Sequence, residues 1–202
     1  MADLRKSQPQ DIQTIIGNGL SVFIDGTDGN MYVKDVMGNT QLLSDYIPTP
    51  VLYSATFFDT TLQTNGGATT ANQVLINSTQ NASGFTLNAN SSVTILNTAT
   101  YFISCHLQLA FTGGASNYNV TVWYTIDDVI IPNSAFTFTT SSTQNDQTLA
   151  TITDTLEITA GQNIKFYWWS QATGMRLLPT SAGANPTRPV SPSVNFSIFN
   201  VG

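Results

Sequence analysis

Hydrophobic and polar residues alternate with a period of two along much of the chain. In residues 101–111 the alternation is strict, with Tyr101, Ile103, Cys105, Leu107, Leu109 and Phe111 on one face. Such a run predicts a long, half-buried β-strand. Shorter runs of the same kind cover residues 120–126, 152–158, 164–168 and 194–198, and no long run has a helical period. The pattern therefore predicts an all-β protein built as an antiparallel two-sheet sandwich.

The first part of the chain has a different organisation. Short apolar runs at residues 15–24, 31–36 and 40–43 are separated by turns rich in Gly, Asp and Asn. These runs predict a small β-meander, and the two prolines within residues 45–50 indicate a stiff linker. We therefore divide the chain into an N-terminal anchor with short β-strands, residues 1–47, and a head domain, residues 48–202. The candidate anchor residues are Val22, Ile24, Tyr32 and Val33.

Composition excludes several classes of partner. Charged residues make up 9% of the chain, the net charge is -6, and no Lys or Arg lies between Asp35 and Ile164. A nucleic-acid site needs clustered basic residues, so we expect no nucleic-acid partner. The longest apolar runs are too short for a membrane span, and residues 1–10 lack the apolar segment of a secretion signal. We expect that the protein does not associate with a membrane. We expect that it assembles in the cytoplasm.

The shortage of lysine also bears on assembly. Exposed strand edges are usually protected by Lys, Pro or bulges. Because this chain has almost no lysine to place there, we expect neighbouring subunits to cover its strand edges. The expected first partner is therefore another copy of the same chain.

Three segments resemble the jelly-roll domain of the tumour-necrosis-factor and complement globular-head family. They are residues 98–104 (TATYFIS), 122–130 (VWYTIDDVI) and 156–164 (LEITAGQNI), and a final strand at 193–201 also matches. The second segment has Asp128 where that family usually has glycine. The resemblance covers roughly residues 51–202 and implies a jelly-roll head that forms a homotrimer. It also implies that aromatic residues such as Tyr101, Phe166 and Trp168 divide between the core and the subunit interface.

The segment 22–40 (VFIDGTDGNMYVKDVMGNT) resembles a stretch that is common in virion proteins of tailed bacteriophages. Together the two resemblances imply a phage virion structural protein, attached by its N-terminal segment to other virion proteins such as the major capsid protein. The head would be a trimeric capsid decoration or cement protein, or a fibre or knob. The implied localisation is the virion.

An alternative interpretation is a receptor- or glycan-binding tip protein of a phage tail or fibre. Trp169 would offer a stacking surface to a host glycan, and the Pro- and Ala-rich segment 174–193, which carries Arg176 and Arg188, would wrap a neighbour or bind a partner. The candidate interface or partner-binding residues are Tyr101, Phe166, Trp168, Trp169, Arg176 and Arg188.

Residue types that carry chemistry are sparse. His106 is the only histidine and alternation places it opposite the side chain of Cys105, which we expect to be a buried, inert thiol. Asp127 and Asp128 are best explained by a hairpin turn. Residues 25–30 lack the ligand ladder of a calcium loop, so a turn is again favoured. We expect no enzyme activity, no cofactor and no metal site.

Overall fold

The structure is a computed structural model in which residues 21–25, 28–35, 37–46, 51–113, 117–141 and 143–201 are described. The chain divides into two compact units between Val51 and Leu52. The linker prolines, residues 48 and 50, and the first ten residues lie outside the described part of the chain.

The first unit is a three-stranded antiparallel sheet followed by one turn of helix. Its elements are β1 (Ser21–Ile24), β2 (Met31–Lys34), β3 (Thr40–Leu42) and α1 (Leu43–Tyr46). β2 lies between β1 and β3, as expected for a meander. The helical turn was not predicted, and it takes up Asp45 and Tyr46, which were assigned to the linker.

In the described residues of the second unit, all the regular secondary structure is β-strand. They are β4 (Ser54–Asp59), β5 (Gln63–Thr64), β6 (Asn72–Gln73), β7 (Ser78–Ser83), β8 (Phe85–Leu87), β9 (Val93–Ile95), β10 (Ala99–Phe111), β11 (Asn119–Ile126), β12 (Val129–Ile130), β13 (Phe136–Thr139), β14 (Thr148–Ile158), β15 (Asn163–Trp169), β16 (Met175–Leu177), β17 (Gly183–Ala184), β18 (Thr187–Arg188) and β19 (Val194–Asn200).

Two large antiparallel sheets contain most of these strands. Sheet I has the order β7-β4-β19-β10-β14, and β16 followed by β5 extends it beyond the end of β19. Sheet II has the order β8-β9-β15-β11, and the far side of β11 pairs with both β12 and β13. From β10 to β16 the chain crosses repeatedly between the sheets, because β10, β14 and β16 belong to sheet I whereas β11–β13 and β15 belong to sheet II. The first and last long strands of the head, β4 and β19, are neighbours in sheet I. This connectivity is that of a jelly roll, which confirms the predicted fold class.

The core lies between the two sheets and is made by the inward residues of the alternating strands. Its largest fully buried side chains are Trp168, Tyr101, Tyr124, Phe57, Phe166 and Phe196. The Phe196 ring lies 4.7 Å from that of Phe166 on the opposite sheet and 6.0 Å from that of Phe57. The strict alternation predicted for residues 101–111 places Cys105 in this core, and burial raises the pKa of its thiol.

Residues 174–193 are more regular than the expected open loop. The segment contains β16, which joins sheet I, and a small hairpin formed by β17 and β18. An isolated β-bridge between Thr180 and Ser191 joins the two ends of the segment that contains this hairpin. The high content of Pro and Ala suggested an irregular segment, but backbone hydrogen bonds to β10 override that composition.

Candidate functional site

Three of the predicted partner-binding residues are core residues. Tyr101, Phe166 and Trp168 are each no more than 2% exposed within a single protomer. Such side chains have no surface to offer a neighbour, so the expectation that they contribute to a subunit interface is corrected. Their inward positions follow from strand parity, which places Trp168 opposite Val122 and Phe166 opposite Tyr124 in sheet II.

The other three candidates lie in different parts of the head. Trp169 projects from the outer side of β15, and its Nε1 donates a hydrogen bond to the carbonyl oxygen of Ala68 at 2.8 Å. Arg176 lies on β16 at one end of sheet I, where its guanidinium donates to Oδ1 of Asn145. Arg188 is exposed on the β17–β18 hairpin. The structure does not combine them into one site.

The candidate anchor residues occupy both faces of the three-stranded sheet. Val22 pairs with Val33, and Ile24 pairs with Met31, so these four apolar side chains share one face. Val33 is buried, whereas Ile24 and Met31 are 40% and 46% exposed. Tyr32 lies on the opposite face, where its ring stacks on that of Phe23 at 5.7 Å.

Two aspartates organise the turns of this small sheet. Asp28 accepts hydrogen bonds from the backbone and side-chain amides of Asn30 and from the Tyr32 hydroxyl. Asp35 accepts from the backbone N–H of Met37 and from both amides of Asn39. These bonds lower the pKa of both carboxyls, and the bond to Asp28 raises the pKa of Tyr32. Turn formation thus accounts for the Asp and Asn residues of this segment.

The outer face of sheet I is almost free of charge. We call the outward side chains of β4, β19, β10 and β14 the open face. In cross-strand rows it carries Thr155, Phe102, Phe199 and Ser54, then Thr153, Ser104, Ser197 and Thr56, then Thr151, His106, Asn195 and Phe58. Glu157 is the only Asp, Glu, Lys or Arg among the outward residues of these four strands. The Phe102 and Phe199 rings lie 5.1 Å apart on its two middle strands, in the row that contains the first residue of β4.

Strand β14 borders the open face, and among the described strands it pairs on one side only, with β10. It is 11 residues long and contains no Lys, Arg or Pro. Its Leu149 is 60% exposed, and Phe199 on the open face is 42% exposed. The side chain of Asp154 points inward, and its carboxylate accepts a hydrogen bond from the hydroxyl of Tyr124 in sheet II. A long edge of this kind, bare of basic residues, is a surface that proteins normally cover.

The outer face of sheet II carries a group of aromatic residues. Trp123 on β11 and Tyr167 on β15 are cross-strand partners, and their rings are 5.8 Å apart and within 14° of parallel. Trp169 follows on the same side of β15, opposite Thr121. We call Trp123, Tyr167 and Trp169 the aromatic face. Trp123 was missed because its closeness to Tyr167 depends on the pairing of β11 with β15, which the sequence pattern did not reveal.

Polar clefts lie at both ends of the aromatic face. Beyond Trp169 is a cleft of about 230 Å³ lined by Trp169, Asn117, Tyr118, Asn119 and Gln171. At the other end a cleft of about 490 Å³ has walls that include Lys165, Asp128 and Asn163. Lys165 Nζ lies 2.6 Å from Oδ1 of Asp128, and this hydrogen bond raises the pKa of the lysine.

Asp127 and Asp128 form the turn between β11 and β12, as predicted. Both have positive φ, 50° and 65°. This left-handed conformation favours Gly, Asn or Asp, which explains how Asp128 occupies a position where the resembling family has glycine.

The imidazole of His106 has hydroxyl groups as its hydrogen-bond partners. The ring nitrogens of His106 contact the hydroxyls of Ser104 at 3.0 Å and Thr151 at 2.9 Å. No carboxylate contacts this ring among the described hydrogen bonds and ion pairs. No group of three or more His, Cys, Asp or Glu side chains in the described part of the chain could hold a metal ion. Among those same residues, no helix has the length and hydrophobicity needed to cross a membrane.

Comparisons with known proteins give a fold-level match. No family model matches the chain, and no curated protein sequence matches it. Among solved structures, the Eiger tumour necrosis factor of S. frugiperda is similar over 76% of this chain and 94% of its own, with 10% identity and a TM-score of 0.49. The assignment of a jelly roll rests on the strand order of the protein itself.

Proposed function

We propose that this protein is a structural component of a bacteriophage virion, in which three heads associate and the N-terminal unit attaches them to the particle. The role is mechanical: subunits bury uncharged strand surfaces against one another, and each protomer is stabilised by assembly. The head would serve as a capsid decoration or cement protein, or as a fibre or knob. The partners are two further copies of the chain and other virion proteins such as the major capsid protein.

The observation that carries the proposal is the open face together with the edge of β14, which has no Lys, Arg or Pro. Charged side chains are the groups most depleted from the centre of subunit interfaces, and aromatic side chains are enriched there. The open face has that composition, with Phe102 and Phe199 in contact on its two middle strands and Glu157 as its only charge along the four strands. The number of subunits, three, comes from the resemblance of the head to the tumour-necrosis-factor family.

The N-terminal unit supports the attachment role in a different way. A sheet of three short strands buries little apolar area and is marginal in isolation. One face of this sheet carries the apolar side chains of Val22, Ile24, Met31 and Val33. On that face Ile24 and Met31 remain largely exposed. We propose that this face packs against another virion protein, and the resemblance of residues 22–40 to phage virion segments supports that assignment.

Sedimentation velocity tests the assembly. We expect the full chain to sediment as a trimer at micromolar concentration and Phe199→Asp to sediment as a monomer, because the new carboxylate would be desolvated in the interface. The matched control is Val129→Asp, at an exposed residue of sheet II that should leave the trimer intact. A wild-type chain that stays soluble and monomeric under these conditions would refute the assembly.

Purified virions test the attachment. We expect the full chain to co-purify with particles and to appear in their cryo-electron density, whereas a chain lacking residues 1–47 remains free. The truncated chain should still sediment as a trimer, which separates attachment from assembly. Equal incorporation of both chains would remove the anchoring role, and absence of the full chain from particles would remove the virion assignment.

A further inference from the structure

We propose that the aromatic face of sheet II is a binding surface for an uncharged, linear oligosaccharide. The proposal does not rest on the virion assignment or on the trimer, because Trp123, Tyr167 and Trp169 belong to sheet II and the open face belongs to sheet I. It develops the earlier suggestion that Trp169 stacks on a glycan, and the structure changes which residues accompany Trp169.

The first argument is the shape of the surface. The rings of Trp123 and Tyr167 stack on each other and are nearly parallel, and Trp169 adds a third ring farther along β15. Tyr167 and Trp169 lie two residues apart, which is ~6.6 Å along the strand. The C–H faces of pyranose rings are flat and apolar, so rings at this spacing suit one or two consecutive sugar units.

The second argument is the polar groups beside the rings. Asn117, Asn119 and Gln171 bring three carboxamides to the cleft at Trp169. Each carboxamide both donates and accepts hydrogen bonds, which matches the donor and acceptor character of sugar hydroxyls. Small-ligand sites commonly combine an apolar surface with a few such orienting groups. None of the described residues that line this cleft is charged, and this favours an uncharged sugar over a sialylated or sulfated one.

The third argument is the fixed position of the tryptophan. The Trp169 indole donates to the Ala68 carbonyl oxygen at 2.8 Å, and Asn65 in the same loop donates to the carbonyl oxygens of Ser170 and Ala172. These bonds tie the loop to the end of β15. A ring held in place before binding loses little conformational entropy when the ligand arrives.

The test uses the full chain and a panel of neutral oligosaccharides, including glucose, N-acetylglucosamine, galactose and mannose polymers of two to six units. Binding is followed by calorimetry and by tryptophan fluorescence. We expect at least one series to bind with a Kd in the micromolar to millimolar range, tightening with chain length. No binding by any series at millimolar concentration would overturn the proposal.

Variants locate the binding site. Trp169→Ala and Trp123→Ala should each weaken binding at least tenfold, and Trp169→Phe, which keeps a ring, should weaken it less than Trp169→Ala. The matched control is Phe136→Ala. Phe136 is an exposed aromatic residue of β13, and it pairs with Val122, so its side chain lies on the inward side of the same sheet and not on the aromatic face. Equal loss in the control would overturn the assignment of the site.

Sedimentation of the same samples distinguishes a sugar site from a subunit contact. We expect Trp169→Ala and Trp123→Ala to keep the wild-type oligomeric state while they lose binding. If instead they change the oligomeric state, the aromatic face is covered by a second copy of the chain and the sugar proposal is overturned. Failure of the trimer test at the open face would leave this result unaffected.

Discussion

The two units of the protein are stabilised in different ways. In the N-terminal sheet, the described side-chain hydrogen bonds join residues two to four positions apart, as in the bonds accepted by Asp28 and Asp35. In the head, β10 pairs with β14 and β19, and the side chains between the sheets form one continuous core. Local turns specify a shape without much buried area, whereas long-range packing supplies stability. The difference fits a small unit that gains stability from a partner and a head that carries its own core.

The largest expected effect comes from opening the head core. Phe196→Ala removes a ring that contacts Phe57 and Phe166, and we expect it to lower the free energy of unfolding by about 3–5 kcal/mol. The matched substitution in the other unit, Phe23→Ala, should leave the unfolding midpoint of the head unchanged. Both are measured by urea unfolding monitored through tryptophan fluorescence. A shift of the head midpoint by Phe23→Ala would show that the units are energetically coupled.

A smaller effect is the sensitivity of the head to alkali. Burial raises the pKa of the Cys105 thiol above its ordinary 9.0 and the pKa of Tyr101 and Tyr124 above 10.0, with a hydrogen bond to Asp154 adding to the effect on Tyr124. The folded state therefore holds protons that the unfolded chain loses. Stability is complete below pH 9.0 and falls above it, first through Cys105, at about 1.4 kcal/mol per pH unit.

Urea unfolding between pH 7 and pH 10.5 measures this decline. In Cys105→Ala the thiol is gone, so stability should stay level until the tyrosines begin to titrate near pH 10. If the free energy of unfolding began to fall at the same pH in the wild type and the variant, the thiol would not contribute to the loss of stability in alkali.

The smallest expected effect is confined to the N-terminal sheet and appears in acid. Hydrogen bonds lower the pKa of Asp28 and Asp35 below 3.8 in the folded sheet. Their contribution is complete above that value and is lost as the pH falls through the lower folded-state pKa. We expect the NMR signals of the Asn30, Met37 and Asn39 amides, which donate to these carboxylates, to lose their folded positions while those of β10 persist.

Asp28→Asn with Asp35→Asn provides the control, because an amide side chain does not titrate. In this double variant the same amide signals should no longer change in acid. If the head signals moved together with those of the N-terminal sheet, the proposed difference between the units would fail.

The sequence predicted those elements whose two faces differ in polarity. β10 was recognised because one face is apolar over its whole length, and β11, β15 and β19 have the same property. β7 (Ser78–Ser83) was missed because all its residues are small or polar and five of the six are exposed, so that no alternation marks it. β16 was missed because three residues are too few to show a period.

The candidate surfaces were less predictable than the strands. Alternation placed Trp168 on one face of β15 and Tyr167 and Trp169 on the other, but it could not tell which face was the core. Trp123 joined the aromatic face only through its register with Tyr167. Likewise the open face depends on which four strands adjoin in sheet I. Such neighbours are set by pairing between distant segments, and a single sequence contains little local signal for it.

The pairing of β4 with β19 has a consequence for how the protein is made. The two strands lie side by side, although one opens the head and the other comes last among its strands. During translation, sheet I cannot close until residues 194–200 have left the ribosome, and until then β4 and β10 each lack a neighbour. Folding dominated by such distant contacts is slow, and incomplete chains with bare strands tend to aggregate. Ribosomal stalling late in the head would therefore be especially harmful to its yield.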